Sequence, residues 1–212
     1  MIHLFTKKAR RLSFLWFIAW LSFATAQTDL YGPQAPADAA YVRVLQAVPG
    51  EMLSADLGGE VLPELEFAQV SPYRVVSPGD VSYTLAESGN GTLAAGAFYT
   101  FVNLPSETLV LEDTPLLDAS RGLISLYNLT DLDALSLVTT DGAEVVADVA
   151  PGELASLEVN EAEVGLAVVA GEDEVAQLEP LLLERGVAHG VFVLNAQEGP
   201  VAVYAPSSLA QD

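Results

Sequence analysis

Leu135-Ser136-Leu137-Val138-Thr139-Thr140-Asp141-Gly142-Ala143-Glu144-Val145 decides the fold class. Leu135 and Leu137 point one way and Ser136 the other, the period-two spacing of a strand with one buried face. Asp141-Gly142 then accepts the positive φ angles of a tight hairpin, and a type I′ turn is expected there. The same period recurs at Leu157/Val159, Val164/Leu166/Val168 and Val201/Val203. The best helix candidate, Asp173 to Arg185, is interrupted by Pro180 and reads as a strand pair or a bent strand. The chain is therefore expected to be all-β.

Outward from this hairpin the chain matches itself. Leu53-Ser54-Ala55 leading to Gly58-Gly59-Glu60-Val61 parallels Leu135-Ser136-Leu137 leading to Asp141-Gly142-Ala143-Glu144-Val145. Ala68-Gln69-Val70-Ser71-Pro72 parallels Ala147-Asp148-Val149-Ala150-Pro151, and Val81-Ser82-Tyr83-Thr84-Leu85 parallels Val164-Gly165-Leu166-Ala167-Val168. A glycine, Gly96 or Gly186, introduces the last long apolar run of each half. Matches in the same order favour duplication. Two tandem β-sandwiches of immunoglobulin-like size follow, each of about seven strands. The first is expected over 39–112 and the second over 122–206. Between them 113–121 reads as a linker whose leucines, Leu116 and Leu117, pack at the interdomain contact. Residues 207–212 read as a frayed tail.

The N-terminus reads as an export signal over 1–26. Lys7, Lys8, Arg10 and Arg11 form a basic region, Leu12 to Phe23 an apolar one, and Ala24-Thr25-Ala26 supplies small residues at the cleavage site. The apolar core of about a dozen residues is short against the roughly 20 that span a bilayer. The mature chain is expected to begin at Gln27, with an extended segment over 27–38.

The leader holds four of the eight basic residues, so the mature chain keeps Arg43, Arg74, Arg121 and Arg185 against 29 acidic residues. It has no lysine or tryptophan and a single histidine, His189. Such a charge excludes nucleic acid and anionic lipid, whose binding needs basic residues to displace counterions. It also opposes direct grip on an anionic polymer. No cysteine is present, so an exported fold of this kind stands on its cores alone.

Reactive constellations are scarce. A serine-type acyl transferase needs a histidine base, and only His189 is available. It lies in Gly186-Val187-Ala188-His189-Gly190-Val191, an expected strand, where it reads as a sheet-edge residue or an interdomain contact. Asp131/Asp133, Asn160/Glu161/Glu163 and Glu172/Asp173/Glu174 offer oxygen atoms to calcium, but without the spacing of a calcium loop. No catalytic residue, metal site or cofactor is expected. A glycan-binding platform would need exposed aromatic faces. Tyr83, Phe98, Phe101 and Phe192 read as core, which leaves Tyr31, Tyr73, Tyr127 and Tyr204 as surface rings.

Behind the leader stands Leu30-Tyr31-Gly32-Pro33-Gln34-Ala35-Pro36-Ala37-Asp38-Ala39-Ala40-Tyr41-Val42-Arg43-Val44-Leu45. Its prolines keep the segment extended, and Arg43, one of only four mature cations, is expected to pair with a carboxylate on its own sheet or to receive a partner's acid. This stretch resembles the start of the mature AlgF family of alginate biosynthesis proteins. The resemblance implies a non-catalytic, periplasmic accessory protein of exopolysaccharide O-acetylation. It would work beside SGNH-type acetyltransferases and a membrane acyl-transfer protein. Partner contact would fall to Tyr31, Gly32, Pro33, Pro36 and Arg43. The runner-up reading is a secreted carbohydrate-binding module.

Overall fold

A computed structural model describes residues 38–210. The leader and Tyr31, Gly32, Pro33 and Pro36 lie outside the described residues. The first half contains β1 (Ala40–Gln46), β2 (Asp56–Leu57), β3 (Glu60–Val61), β4 (Arg74–Val76), β5 (Gly79–Thr84), β6 (Ser88–Leu93), β7 (Phe98–Asn103) and β8 (Thr108–Asp113). The second contains β9 (Gly122–Leu129), β10 (Leu135–Thr139), β11 (Glu144–Val149), β12 (Glu153–Val159), β13 (Ala162–Ala170), β14 (Asp173–Leu183), β15 (Ala188–Ala196) and β16 (Gly199–Pro206). Each half is a sandwich of two four-stranded sheets: β4-β1-β7-β8 over β3-β2-β5-β6, then β12-β9-β15-β16 over β11-β10-β13-β14.

The second list is the first with every strand advanced by eight, which is what duplication requires. In both halves the first and seventh strands pair in parallel, β1 with β7 and β9 with β15. The glycines expected to open the seventh strands have the same job. Gly96 (φ 77°) and Gly186 (φ 73°) occupy the left-handed region. The Gly96 N–H donates to the Ala39 carbonyl at 2.7 Å and the Gly186 N–H to that of Arg121 at 2.8 Å. Gln46 and Asn128, both fully buried at equivalent places in β1 and β9, pin the loops that leave those strands. Gln46 Nε2 donates to the Glu51 carbonyl, and Asn128 Nδ2 donates to those of Leu132 and Val149.

Local expectations are met unevenly. The Leu135–Val145 hairpin forms, but only Gly142 takes a positive φ (89°). The turn is thus not type I′; Asp141 stays on the negative side and the glycine absorbs the twist. Asp173 to Leu183 is one bent strand. Between the pairs Val164↔Leu181 and Leu166↔Leu178 the register slips, so Pro180 sits at a bulge on an edge strand, where its missing N–H costs no ladder bond.

The larger surprise is a third core. All seven residues of β1 and all eight of β9 are buried, so these strands have no solvent face. Val42, Val44 and Phe101 point into the first sandwich, and Ile124, Leu126, Val191 and Val193 into the second. The alternate residues Leu45, Val102, Tyr127, Leu129, Phe192 and Leu194 meet one another in a separate cluster. The β1/β7 and β9/β15 sheets therefore pack back to back, and the molecule is a four-layer stack. Each such side chain, fully buried, contributes roughly 1.5–3 kcal/mol, so the halves are held by their sheets.

That corrects the expected linker contact. Leu117 is 84% exposed and Leu116 half-buried, while Asp113 closes β8 in a buried position. Nor do residues 207–210 fray. The Ser207 N–H reaches the Ala188 carbonyl at 2.7 Å, the Tyr73 N–H donates to Ser208 O and the Ala210 N–H to Tyr73 O, each at 2.8 Å. The tail of the second half is thus strapped across the seam onto the flank of β4, with Leu209 bridged to Tyr73 in parallel.

Candidate functional site

Arg43 sits inside this seam. Period two places it on the same face of β1 as Leu45, and its side chain is 3% exposed. An unpaired charge there would be untenable, so the surroundings are polar in a specific way. Arg43 Nε donates to Thr100 Oγ1 at 2.8 Å and Nη2 to Tyr127 Oη at 2.9 Å. Both hydroxyls pass the interaction on to Asp113. Thr100 Oγ1 lies 2.9 and 2.7 Å from its two carboxylate oxygens, and Tyr127 Oη donates to Oδ1 at 2.7 Å. Tyr73 Oη donates to Oδ2 at 2.6 Å. The direct Arg43–Asp113 approach is longer, 3.8 Å, so hydroxyls mediate most of the attraction. Rings close the site: the guanidinium carbon lies 4.6 Å from the Tyr73 centroid and 5.0 Å from that of Phe192.

Each partner arrives on a different element. Thr100 is directly across from Arg43 in the β1/β7 ladder, Asp113 ends β8, Tyr73 precedes β4, and Tyr127 and Phe192 come from the second half. Arg43 does pair with a carboxylate of its own sheet, as expected. Tyr73 and Tyr127, expected as surface rings, are instead buried at 5% and 1%. The reason is the third core, which turns the outer faces of both inner sheets into interior.

Protonation states follow from burial. Burial alone would lower the Arg43 pKa, but the oxygens of Tyr127, Tyr73 and Asp113 more than offset it and the pKa is raised. Burial first, then the Asp113 charge, pushes both the Tyr73 and Tyr127 hydroxyls well above the ordinary phenol range. The arginine stays charged and the phenols stay protonated. This centre can hold geometry; neither phenol is poised to move a proton.

His189 occupies neither of the places expected for it. It is 1% exposed on the interior strand β15, on the same face as Val191 and Val193, within the second sandwich. Its Nε2 accepts the Glu184 N–H at 3.1 Å, which leaves the proton on Nδ1, 2.7 Å from Tyr204 Oη. Burial lowers its pKa from 6.5, opposed in part by the Glu184 carbonyl and carboxylate, so the ring is held neutral. Both nitrogens are occupied. Among the described residues no group of three or more His, Asp or Glu side chains could hold a metal ion.

Beside Arg43 the seam opens. A cavity of about 10 Å³, the size of one water, touches Arg43, Asp113 and Ser207. Next to it a mainly apolar cleft of about 310 Å³ is lined by Tyr73, Phe98, Pro115, Leu116, Leu117 and Leu209, among others. Sequence reasoning missed this cleft, because its walls are a linker, a tail and a strand flank that only the packing of two halves brings together.

These features define a class: an all-β protein of two duplicated sandwiches fused through their inner sheets, with a closed polar seam and an open cleft at its end. A family model described as Alginate O-acetyl transferase AlgF matches residues 13–190. The alginate biosynthesis protein AlgF of Pseudomonas fluorescens is 35% identical over 196 residues, covering 89% of this chain and 88% of the relative. That of Pseudomonas aeruginosa is 32% identical over 203 residues, covering 92% and 89%. A solved structure of the C-terminal domain of AlgF from Pseudomonas aeruginosa aligns at 31% identity over 41% of this chain and 98% of that domain, with a TM-score of 0.38. The chain belongs to the AlgF family, as the Leu30–Leu45 stretch suggested.

Proposed function

We propose that this protein is a non-catalytic, periplasmic accessory factor in O-acetylation of alginate or a related exopolysaccharide, acting as an adaptor for the acetylation enzymes. The relatives are alginate biosynthesis proteins, and the family description carries the words O-acetyl transferase. The observation that carries the adaptor reading is the closure of the chemistry. The one histidine among the described residues has both ring nitrogens engaged, and the buried arginine is neutralised within the seam. What remains open is surface: strand edges and the cleft. Partners of the expected kind, SGNH-type transferases and a membrane acyl-transfer protein, would meet that surface.

The glycan-platform alternative loses ground, since two of its candidate rings, Tyr73 and Tyr127, are committed to the interior. The test is acetyl content of the exopolysaccharide, by NMR, in a strain lacking the protein, alongside polymer yield. Loss of acetyl groups at normal yield is expected. Complementation with His189→Gln should restore acetylation; a folded His189→Gln protein that restores none would sink the non-catalytic reading.

A further inference from the structure

The face that joins the two halves does not stop where the second half ends. Beyond the Arg43 cluster it continues along the first half's inner sheet as Phe98 and Tyr73, whose rings meet edge to face at 5.3 Å, and on to Val75, which is 45% exposed. The linker and the tail form the walls. Leu117 is the most exposed large hydrophobic among the described residues at 84%, and Leu209, at 41%, stands across from it in the same cleft. An apolar surface continuous with an interior interface, ending in leucines left to water, is an interface without its other side.

Two further observations define the occupant. First, the backbone here already accepts an extended strand: Tyr73 pairs in parallel with Leu209 through its own N–H and carbonyl, while the outer edge of β4 beyond it ends its sheet. Second, the cations are spent. Arg43, Arg74, Arg121 and Arg185 are each ion-paired with Asp113, Glu60, Glu158 and Glu161, and the described residues contain no lysine. Asp118 is exposed in the chain between Leu117 and Ala119, two residues that line the cleft. With each arginine already paired to a carboxylate, the charge left over on the surface is negative, and it selects a basic partner.

We propose that the cleft is the docking site for an extended segment of a second protein whose apolar side chains are flanked by lysine or arginine. Such a segment would lie along the flank of β4, set alternate apolar side chains against Phe98, Leu117 and Leu209, and leave its cations facing Asp118 and the surrounding excess of carboxylates. This rests on the adaptor reading and names the surface through which it acts.

The probe is a capped heptapeptide of alternating leucine and lysine, with its leucine–glutamate counterpart as control, titrated into the purified exported protein by NMR. Saturable binding is expected, with amide shifts gathered at Tyr73, Leu117 and Leu209. Leu117→Ser combined with Leu209→Ser should weaken binding about tenfold or more, as removal of interface anchors does. Leu117→Ser alone, at a solvent-exposed linker position, should weaken it with no change in unfolding midpoint. Unaltered affinity in the double variant, shifts scattered over the acidic faces, or equal binding of the glutamate peptide would overturn the proposal. In cells the two readings separate. Normal acetylation in the deletion strain sinks the accessory function itself. Lost acetylation that the double variant restores in full sinks the cleft alone.

Discussion

The two halves share strand order, parallel pairing and the positive-φ glycines before their seventh strands, yet at four equivalent positions on their joined faces they differ. Thr100 lies opposite Arg43 in the first half and Gly190 opposite Ser125 in the second. Tyr73, one step beyond the Val42↔Arg74 pair, matches Ser156, which is paired with Ser125. Asp113, opposite Phe98, matches Ser207, next to the His189↔Pro206 pair. One face carries arginine, threonine, tyrosine and aspartate; the other carries two further serines beside Ser125 and a glycine. A bulky charged knob meets a small polar socket. A face repeated unchanged in both halves could pair with its own kind on another molecule. The asymmetry makes the fit heterologous, and it is satisfied within one chain.

Breaking the knob should have the largest effect. Asp113→Ala removes the acceptor of Tyr73, Tyr127 and Thr100 and leaves the Arg43 charge buried without its counterion. A loss of about 3–5 kcal/mol is expected in urea unfolding. The comparison sharpens if Arg43→Met is added to Asp113→Leu. An apolar knob should recover most of that loss, because a buried pair contributes more to specificity than to stability. If the double variant is no more stable than Asp113→Ala, the charges hold the seam by themselves.

Filling the socket comes next. A Cβ on Gly190 would stand 2.7 Å from Phe192 Cε2, and Phe192 is stacked on Tyr127 at 4.3 Å. Gly190→Ala should therefore tilt that ring off its partner and cost roughly 1–3 kcal/mol, the range for overpacking. Near-UV circular dichroism, which reports on the Tyr127 environment, should change with it. Tyr127→Phe is milder. The ring remains, but the hydroxyl linking Arg43 to Asp113 is lost, for about 1–2 kcal/mol by the same unfolding assay. A Tyr127→Phe protein as stable as its parent would show that Thr100 suffices as the link.

What the sequence reveals depends on which face of a strand is in question. Alternation at Leu135/Leu137 and Val164/Leu166/Val168 marks the outer sheets, which have one wet face, and Gly96 and Gly186 mark the repeat. The central strands of the inner sheets, β1 and β9, have none, and period two says nothing about a second burial. The available signal was the unbroken apolar run Gly190-Val191-Phe192-Val193-Leu194, which lacks polar alternation because both its sides are covered. Arg43 was legible as a rare cation seeking a carboxylate on its sheet. Asp113 was not: followed by Thr114-Pro115, it reads as the first residue of the linker, and only the back-to-back packing makes it the counterion. The cleft was illegible for the same reason.

The smallest predicted effect tests whether the halves also differ in their response to acid. His189 replaces Tyr99 at the equivalent position, and both accept an N–H from the residue five before them. Ala94 donates to Tyr99 Oη at 3.1 Å, and Glu184 donates to His189 Nε2 at 3.1 Å. Imidazole is the side chain whose charge changes between about pH 5 and 8. The folded pKa of His189 is lowered from 6.5, so as pH falls below 6.5 the unfolded chain takes up a proton before the folded one, and stability is lost. Above 6.5 the contribution is fully present. Protonation also turns Nε2 into a donor facing the Glu184 N–H, so that hydrogen bond must break. Hydrogen exchange, corrected for its intrinsic pH dependence, should therefore show the Glu184 amide losing protection as pH falls below 6.5. The Ala94 amide should keep its own, and His189→Gln should abolish the difference. Equal loss at both amides would mean that acid acts through the carboxylates of the whole surface, and that the duplicated halves respond alike.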